Sequence, residues 1–361
     1  MPATDAQTGL HDMQGGLSAS LKDEAMALGF ELVGVASAAD PLLAEAVERY
    51  SRWVSAGHGA TMDYLARHIE LKAHPEKLLA GFRSVVCVGL LYGAPTPEEN
   101  SERAQVSLYA RGQDYHELMT ERLERLARVV RERHGAQARA FVDSQPVLER
   151  FWAWRAGLGW IGKNACLINR KQGSLLFLGG LLTDLELEPD GPQPDHCGRC
   201  TKCIDACPTG AIAEGRFIES AKCIAYHTIE NRGRVPEAVM ERMGRWVAGC
   251  DICQTVCPWN DPVTPGPSFD TLNPAFDAPL AELADWSAAE FKAKMKGVAM
   301  SRMKYAGFLR NVAIAIGNSG LSAEARAEAL KKLGANAETL PTGEGRDAAL
   351  EAVAWARKTR K

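Results

Sequence analysis

Two runs of cysteine carry the densest chemistry in this chain. The first run has the spacing C-x2-C-x2-C-x3-C-P over residues 197–208, and the second has C-x2-C-x3-C-P over residues 250–258. Cys223 lies between them, so eight thiols fall within a short part of the 361 residues. Thiolates at the first spacing ligate [4Fe–4S] clusters. The eight cysteines therefore predict two such clusters, which transfer electrons one at a time.

The ligands can be divided according to two-cluster ferredoxins, in which the fourth cysteine of a run ligates the other cluster. One predicted set is Cys197, Cys200, Cys203 and Cys257; the other is Cys207, Cys223, Cys250 and Cys253. Zinc sites also use C-x2-C spacing, but zinc ribbons do not usually carry the proline-terminated pattern, so we favour iron–sulfur. The remaining Cys87 and Cys166 are interpreted as buried apolar thiols.

Charge and composition are those of an ordinary globular protein. The chain has 42 basic and 45 acidic residues, so any basic surface for nucleic acid must be local. The longest apolar run, residues 175–182, is far shorter than the roughly 18 residues that predict a membrane span. Residues 1–16 contain neither an apolar core segment nor a twin-arginine pair. We expect a cytoplasmic monomer without membrane contact, and closely spaced cysteines in that reducing compartment favour metal over disulfides.

Three regions must position the cysteines. Residues 1–185 alternate predicted helices and strands. A ferredoxin-like region at 186–265 follows a linker rich in proline and acidic residues, and residues 266–361 are Ala-rich and helical. The predicted strands are 85–92, 138–143 and 173–183, the last as a strand pair or a bent strand. The predicted fold class is α+β: an N-terminal α/β domain, a ferredoxin-like two-cluster domain and a short α-helical HEAT-like region.

Most of the chain lies outside the cysteine region, so we expect the clusters to feed a redox centre in the N-terminal domain. A flavin, a corrinoid and a radical-generating nucleotide are the candidates. The C-x3-C-x2-C spacing of radical S-adenosylmethionine enzymes is absent. The corrinoid motif D-x-H-x-x-G is approached only at Asp114 and His116, with Met119 in place of glycine. The residues alone leave open a flavin or a corrinoid without a lower histidine ligand.

Several longer motifs resemble a known family. Four segments resemble epoxyqueuosine reductases in the same order: FVDSQPVLER at 141–150, GLGWIGKNACLIN at 157–169, CIAYHTIE at 223–230 and GCDICQTVCPWN at 249–260. Two further segments agree with that family, RGQDYH at 111–116 and GHGATMDYLARH at 57–68. The resemblance spans about residues 15–260.

The resemblance implies the last step of queuosine synthesis in bacterial tRNA, the reduction of epoxyqueuosine in the anticodon loop to queuosine. It implies a base-off cobalamin in the N-terminal domain, two [4Fe–4S] clusters, and an unidentified electron donor of the flavodoxin or ferredoxin type. The missing D-x-H-x-x-G motif fits, because the family binds cobalamin without that histidine. A short HEAT-like ending is also one that the family often carries.

By motif, Asp143 corresponds to the family's proton donor beside the cobalamin. Such a donor must be protonated at neutral pH, so we expect burial to raise the pKa of Asp143. The alternative from the residues alone is an Asp that caps a helix beginning near Pro146. The motifs that border the corrinoid contain Tyr109, Asn164, Tyr226, Thr228 and Asp251. His227 stands where the family often has Leu.

A local basic segment is the predicted tRNA surface. Residues 291–310 contain no acidic residue and six basic ones: Lys292, Lys294, Lys296, Arg302, Lys304 and Arg310. The C-terminus adds Arg357, Lys358, Arg360 and Lys361. Phosphate contacts from such a face give affinity with a steep salt dependence. The alternative is a solvated helix face that binds nothing.

Two other functions are compatible with these cofactors. A reductive dehalogenase combines cobalamin with two clusters in the same order, but it would ordinarily carry a twin-arginine leader and lack the basic helical tail. An electron-carrier subunit, which is a ferredoxin fused to a docking domain, would bind the clusters and no corrinoid.

Overall fold

The computed structural model describes residues 4–93, 100–261 and 273–359. The predicted domain boundary at residues 265 and 266 lies outside these ranges, as do Arg360 and Lys361. None of the helices in these ranges is both long enough and apolar enough to cross a membrane.

An antiparallel sheet with helices on both faces forms the N-terminal region. Its elements are α1 (Thr4–Ala27), β1 (Leu32–Ser37), α2 (Leu43–Ser55), α3 (Ile69–Ala73), β2 (Ser84–Leu91), β3 (Gln105–Val106), α4 (Tyr115–His134), β4 (Ala138–Val142), α5 (Glu149–Arg155), β5 (Trp160–Ile161), β6 (Leu167–Ile168) and β7 (Leu176–Thr183). The four-stranded sheet has the order β1-β2-β7-β4, and each neighbouring pair is antiparallel. The strands predicted at 85–92 and 138–143 are confirmed, and 173–183 contributes a single strand. The antiparallel pairing makes this domain α+β rather than α/β.

The two faces of the sheet are covered by different helices. Leu21 of α1 and Met119 of α4 are buried on one face, while Phe151 and Trp152 of α5 are buried on the other. Strand β2 is buried at every residue, which explains why its sequence is a continuous apolar run and does not alternate. Cys87 lies in this strand with 1% exposure, as expected for an apolar thiol.

Helix α4 begins next to Asp143, the candidate catalytic residue. Asp114 is its N-cap, and the Asp114 carboxylate accepts a hydrogen bond from the backbone N–H of His116 at 3.1 Å. Apolar residues at helical spacing fix the helix on the sheet: Met119, Leu123, Leu126 and Val130. The helix ends at Gly135, whose φ of 62° favours glycine. The first turn of α4 consequently lies beside the end of β4, which Asp143 follows.

The elements are short around the cysteines and longer in the tail. They are α6 (Lys202–Asp205), β8 (Ile212–Ala213), β9 (Phe217–Ile218), α7 (Ile224–Ile229), α8 (Glu237–Met240), β10 (Trp246–Ala248), α9 (Ile252–Thr255), α10 (Leu280–Leu283), α11 (Ala288–Lys294), α12 (Lys304–Gly317), α13 (Ala323–Glu338) and α14 (Glu344–Lys358). Strand β10 pairs in parallel with β3, and α12, α13 and α14 pack against one another. One hydrophobic core contains residues of the 104–110, 224–248 and 275–356 segments. The domain boundaries and the HEAT-like character of the tail stay predictions.

Helix α12 is the buried centre of that core. Every residue from Gly307 to Gly317 is buried, including Arg310, which is 1% exposed. The Arg310 guanidinium donates hydrogen bonds to the backbone carbonyls of Asn231 at 2.8 Å, Gly233 at 2.7 Å and His227. The prediction that Arg310 belongs to a basic tRNA surface is therefore wrong. Its charge is used inside the protein, because it supplies donors to carbonyls that water does not reach.

Replacing Arg310 with Met should lower stability rather than affinity for RNA. The variant leaves the carbonyls of His227, Asn231 and Gly233 without this donor, and a buried unsatisfied group costs about 1–3 kcal/mol. We expect a total loss of about 3 kcal/mol or more, measured as a lower midpoint of urea unfolding. Lys292→Met, at an exposed position on α11, is the matched control. A midpoint equal to that of the control would contradict the structural role.

Candidate active site and cluster sites

Asp143 lies at the centre of a chain of acidic and aromatic side chains. Its Oδ1 is 2.7 Å from Nε2 of His116, and the Tyr115 hydroxyl donates a hydrogen bond to its Oδ2. The other nitrogen of His116, Nδ1, lies 2.6 Å from Oδ1 of Asp114. The imidazole is thus held at both nitrogens between two carboxylates. Helix α5 begins only at Glu149, with no side-chain cap, so the alternative that Asp143 caps a helix is wrong.

The electrostatics of this chain differ from the expectation. Hydrogen bonds to Asp114 and Asp143 raise the pKa of His116 to about 10, so the imidazole is protonated at neutral pH. The Asp143 side chain is half exposed. Its partial burial opposes charge, but the hydrogen bond and charge of His116, together with the Tyr115 hydroxyl, outweigh this and lower the pKa of Asp143. The expectation of a raised pKa at Asp143 is therefore wrong, because a cation and a phenol stabilise its carboxylate.

Aromatic stacking fixes the Tyr115 hydroxyl against Asp143. The Tyr115 ring stacks on Phe177 of β7 with centroids 4.3 Å apart and an interplanar angle of 9°. Its other neighbours are the His116 ring, at 4.1 Å, and the Tyr109 ring, edge-on at 6.3 Å. The sequence analysis treated Asp114 and His116 as an incomplete corrinoid motif and as part of the segment RGQDYH that agrees with the family, and it assigned no individual role to Tyr115. The sequence pattern that could have identified these residues is an Asp N-cap followed directly by Tyr and His in the first turn of the helix.

The predicted corrinoid neighbours fall into two groups. Thr228 and Asp251 are 0% and 2% exposed: the Thr228 hydroxyl donates to the carbonyl of Ile224 at 2.9 Å, and Asp251 accepts hydrogen bonds from the Ser107 hydroxyl and, at 2.7 Å, the backbone N–H of Leu108. Burial raises the pKa of Asp251 to about 6. Both side chains are therefore engaged in hydrogen bonds within the protein itself.

The other three predicted neighbours each contact a different part of the chain. The Asn164 side-chain amide donates to the carbonyl of Cys253 at 3.3 Å, and the hydroxyl of Tyr226 lies 2.7 Å from that of Thr61. Burial raises the pKa of Tyr109, and the charges of Asp251 and Asp143 raise it further. Tyr109 is therefore close to both the catalytic aspartate candidate and the residue that follows Cys250.

Close packing of the backbone brings the last cysteine run to this point. Gly249, directly before Cys250, has a φ of 67°, and a Cβ at this position would lie 2.4 Å from Cβ of Ser107. Only glycine permits this approach. The approach lets Ser107 and the following Leu108 bind Asp251.

The first predicted cysteine set lines one cavity. Its walls include all four members, Cys197, Cys200, Cys203 and Cys257, together with Lys163 and Trp259. The indole N–H of Trp160 donates to Sγ of Cys197 at 3.4 Å, and Nζ of Lys163 donates to the carbonyls of Gly198 and Cys200, both at 2.9 Å. Cys200 is exposed and Cys257 is buried. This cavity therefore opens toward the protein surface.

The second predicted set is partly buried at all four members. Burial raises the pKa of Cys250, and the charges of Cys223 and Cys207 raise it further. Burial also raises the pKa of Cys253, and the charges of Cys166, Cys250 and Cys223 add to this. These interactions link thiols from three separate places in the sequence, namely residue 207, residue 223 and the run 250–253. Cys166 is adjacent, and its thiol donates to the carbonyl of Asn164 at 3.7 Å. Across the described ranges, no three His, Cys, Asp or Glu side chains converge on a site for a single metal ion.

Two family models match the sequence. One is described as a 4Fe-4S double cluster binding domain and matches residues 196–260. The other is described as Epoxyqueuosine reductase QueG, DUF1730, and matches residues 72–144, which include Asp143. The two matches fall on the two sites described above.

Curated relatives extend over most of the chain. An epoxyqueuosine reductase of Gloeobacter violaceus is 44% identical over 311 residues, which cover 84% of this chain and 97% of that protein. The epoxyqueuosine reductase of Escherichia coli K12 is 38% identical over 311 residues, which cover 84% of this chain and 81% of that protein.

Solved structures share the fold. The epoxyqueuosine reductase of Bacillus subtilis, described with its aspartate-bearing catalytic loop swung out of the active site, has a TM-score of 0.79 at 27% identity and covers 94% of this chain and 89% of its own. An epoxyqueuosine reductase with a tRNA-Tyr epoxyqueuosine-modified stem loop has a TM-score of 0.75 at 25% identity. The match covers 94% of this chain and 99% of that chain. The resemblance in the motifs is thus confirmed, and the chain belongs to the epoxyqueuosine reductase family.

Proposed function

We propose that this oxidoreductase reduces epoxyqueuosine to queuosine in the anticodon loop of tRNA, the last step of queuosine biosynthesis. The observation that carries the proposal is the Asp114–His116–Asp143 chain, which places a proton source at a family motif. The relative with a modified tRNA stem loop supports the substrate, and the Bacillus relative supports a catalytic aspartate on a loop. Family membership favours this reaction over the dehalogenase and the electron carrier.

The donor chemistry fits two [4Fe–4S] clusters. Four thiols line the first cavity, and this set would hold one cluster. The other set, Cys207, Cys223, Cys250 and Cys253, would hold the second, next to Asn164 and Asp251. Cys200 is exposed, so electrons from an unidentified donor of the flavodoxin or ferredoxin type would enter at the first set and leave from the second toward Asp143.

The residues also fit a base-off cobalamin. Both nitrogens of His116 are engaged by carboxylates, so this imidazole offers no lone pair to cobalt, and the protein would bind the corrinoid without a histidine ligand. Tyr109, Asn164 and Tyr226 would border it, and Thr228 and Asp251 would hold the walls. When bound, the corrinoid would supply low-potential electrons for the reduction.

The residues around Asp143 would hold the proton and transfer it to the substrate. The reaction breaks both C–O bonds of the epoxide and leaves an alkene, taking up two electrons and two protons and releasing the oxygen as water. The epoxide oxygen is a poor leaving group until it is protonated. Asp143 donates to this oxygen a proton that it receives from the His116 imidazolium, while Asp114 keeps the imidazole oriented. General acid catalysis of this kind contributes about 10²–10⁴-fold.

The tail supplies exposed cations for the tRNA backbone. Lys292, Lys294 and Lys296 are exposed, as are Arg357 and Lys358. Nζ of Lys294 lies 4.9 Å from the centroid of the Trp286 ring, which orients that side chain. Neutralisation of phosphates by such a face would make binding salt-dependent. We further propose that the protein acts as a monomer in the cytoplasm.

Asp143→Asn should abolish proton delivery without removing the cofactors. We expect kcat for epoxyqueuosine reduction to fall by about 10²–10⁴-fold, with little change in KM for the tRNA, in protein whose iron and cobalt contents match the wild type. Asp23→Asn, at an exposed position on α1, is the control. Near-normal turnover by the Asp143 variant would exclude the proton-donor role.

The pH profile should depend on His116. Since the pKa of His116 is raised to about 10, the imidazolium is present throughout the neutral range and is lost only as the pH rises through about 10. Wild-type kcat should stay high through neutral pH and decline on that alkaline side. His116→Gln removes the proton reservoir, so its kcat should decline at lower pH. Superimposable profiles would show that His116 does not hold the proton.

Paired cysteine substitutions test how ligands are shared. If Cys257 ligates with Cys197, the double variant Cys197→Ser/Cys257→Ser loses one cluster and keeps about half of the iron, whereas Cys197→Ser/Cys207→Ser loses both clusters. Cys87→Ala, inside the sheet, should keep all the iron. Iron analysis and electron paramagnetic resonance of anaerobically purified protein measure this. The reverse pattern would assign Cys207 to the first cluster.

A further inference from the structure

A cleft lined in part by Thr61, Tyr64 and Arg302 has been given no ligand so far. Its volume is about 380 Å³, and its walls include Tyr64, Glu230, Arg232, Arg302 and Lys304. This is a size typical of ligand sites. The Arg302 guanidinium contributes to lowering the pKa of Asp143, and Asp143 contributes to raising that of Tyr64. The Thr61 hydroxyl on the cleft wall lies 2.7 Å from the hydroxyl of Tyr226, so the cleft adjoins the proposed cofactor site, and its charges act on Asp143.

Tyr64 presents an aromatic ring to solvent in this cleft. It is 42% exposed and is one of two large hydrophobic side chains that are exposed in the described residues; the other is Met26. Cζ of Arg302 lies 5.5 Å from the centroid of the Tyr64 ring. The guanidinium lies over the ring, so the two side chains form a cation–π pair that is aromatic and cationic at once.

The Arg302 guanidinium is held in place before any ligand arrives. Both oxygens of Glu230 accept hydrogen bonds from it, one of them at 2.9 Å from Nη2. Glu230 follows α7 directly and its side chain is only 17% exposed. A bidentate pair of this kind fixes the plane of the guanidinium. The surface is therefore preorganised, which lowers the entropic cost of stacking a ligand on it.

The rest of the cleft favours an anion. Arg232 and Lys304 line it in addition to Arg302, and its carboxylates are Glu230 and Glu344. Lys304 has a φ of 61° and a ψ of 165°, a conformation that is strained for a residue with a Cβ. Strain of this kind persists where the surrounding structure imposes it. Here it occurs at a cation that lines the cleft.

We propose that Tyr64 and Arg302 form a stacking platform for the base next to the modified nucleotide of the anticodon loop, with Arg232 and Lys304 beside its phosphate. This inference rests on the proposed tRNA substrate. A nucleotide inserted into an active site leaves its stack, so its neighbour loses a stacking partner. Proteins bind unstacked loop bases on aromatic rings and guanidinium planes. The platform would bind the base next to the modified nucleotide and would not contact the ring that carries the epoxide.

A cycle of protein and RNA changes tests the platform. Holoenzyme and its Tyr64→Leu variant are titrated, by fluorescence anisotropy, with an intact epoxyqueuosine stem loop and with stem loops abasic at the 5′ or 3′ neighbour of the modified nucleotide. We expect Tyr64→Leu to weaken binding of the intact loop by about 5- to 100-fold. Wild type should bind one of the two abasic loops more weakly than the intact loop, by a similar factor. The Tyr64→Leu variant should bind that abasic loop almost as tightly as it binds the intact loop. The missing base in that loop is the stacked one.

Companion variants separate stacking from folding. Tyr64→Phe should bind within about twofold of the wild type, because the ring is what stacks, and Met26→Leu should be neutral. Arg302→Lys keeps the charge but loses the planar fork, so it should lose sensitivity to the same abasic position. Equal losses for Tyr64→Leu on intact and abasic loops would overturn the platform, as would unchanged binding.

The same experiment distinguishes failure of the platform from failure of the proposed function. Suppose that wild-type holoenzyme converts the intact stem loop, but the effects of Tyr64→Leu and of the abasic change on affinity simply add. That result rejects the platform and leaves the proposed function standing. A wild-type enzyme that binds the stem loop but does not convert epoxyqueuosine rejects the proposed function and the platform with it.

Discussion

The buried polar side chains of α12 set the geometry on which the rest of the structure depends. Arg310 binds the carbonyls of the segment that follows α7. The Asn311 side-chain amide donates to the carbonyls of Thr228 at 2.8 Å and Val247 at 2.9 Å. Thr228 lies after Cys223 and Val247 before Cys250, so one side chain of the tail holds the two segments that carry second-cluster candidates.

A series of direct contacts connects the segments held by Asn311 to the candidate active site. Strand β10 places Gly249 against Ser107, and Ser107 and Leu108 bind Asp251. The next residue, Tyr109, has its ring edge against that of Tyr115, which binds Asp143. The tail, the cysteine region and the N-terminal sheet are thus linked by a series of contacts that runs from the buried Asn311 to the half-exposed Asp143.

The state of Asp143 changes how acid catalysis is understood here. A buried carboxylic acid can hold its own proton if its surroundings are apolar. In this protein a histidine held between two carboxylates takes that proton, and the aspartate is ionised at rest. The proposed proton reservoir and the carboxylate that would donate the proton therefore lie on different elements, the first turn of α4 and the residue after β4.

Much of the fold and of the site could be predicted from local patterns. The cysteine spacing, the strands of β2 and β4 and the tail helices are determined by neighbours in sequence, since ligand spacing and apolar periodicity are local properties. Asp143 was found through its motif. What could not be predicted was its electrostatics, because His116 and Tyr115 lie 27 and 28 residues away on another element.

The sequence by itself determined the chemistry available: eight thiols in ferredoxin-like spacing, an aspartate after a strand and a family resemblance. Tertiary structure decided which charges act at the surface and which act inside. Arg310 and Arg302 belong to one basic segment, yet the first is buried among carbonyls and the second lines a cleft beside Asp143. Only packing makes that distinction, because the pKa and the partners of an ionisable group depend on burial and on residues distant in sequence.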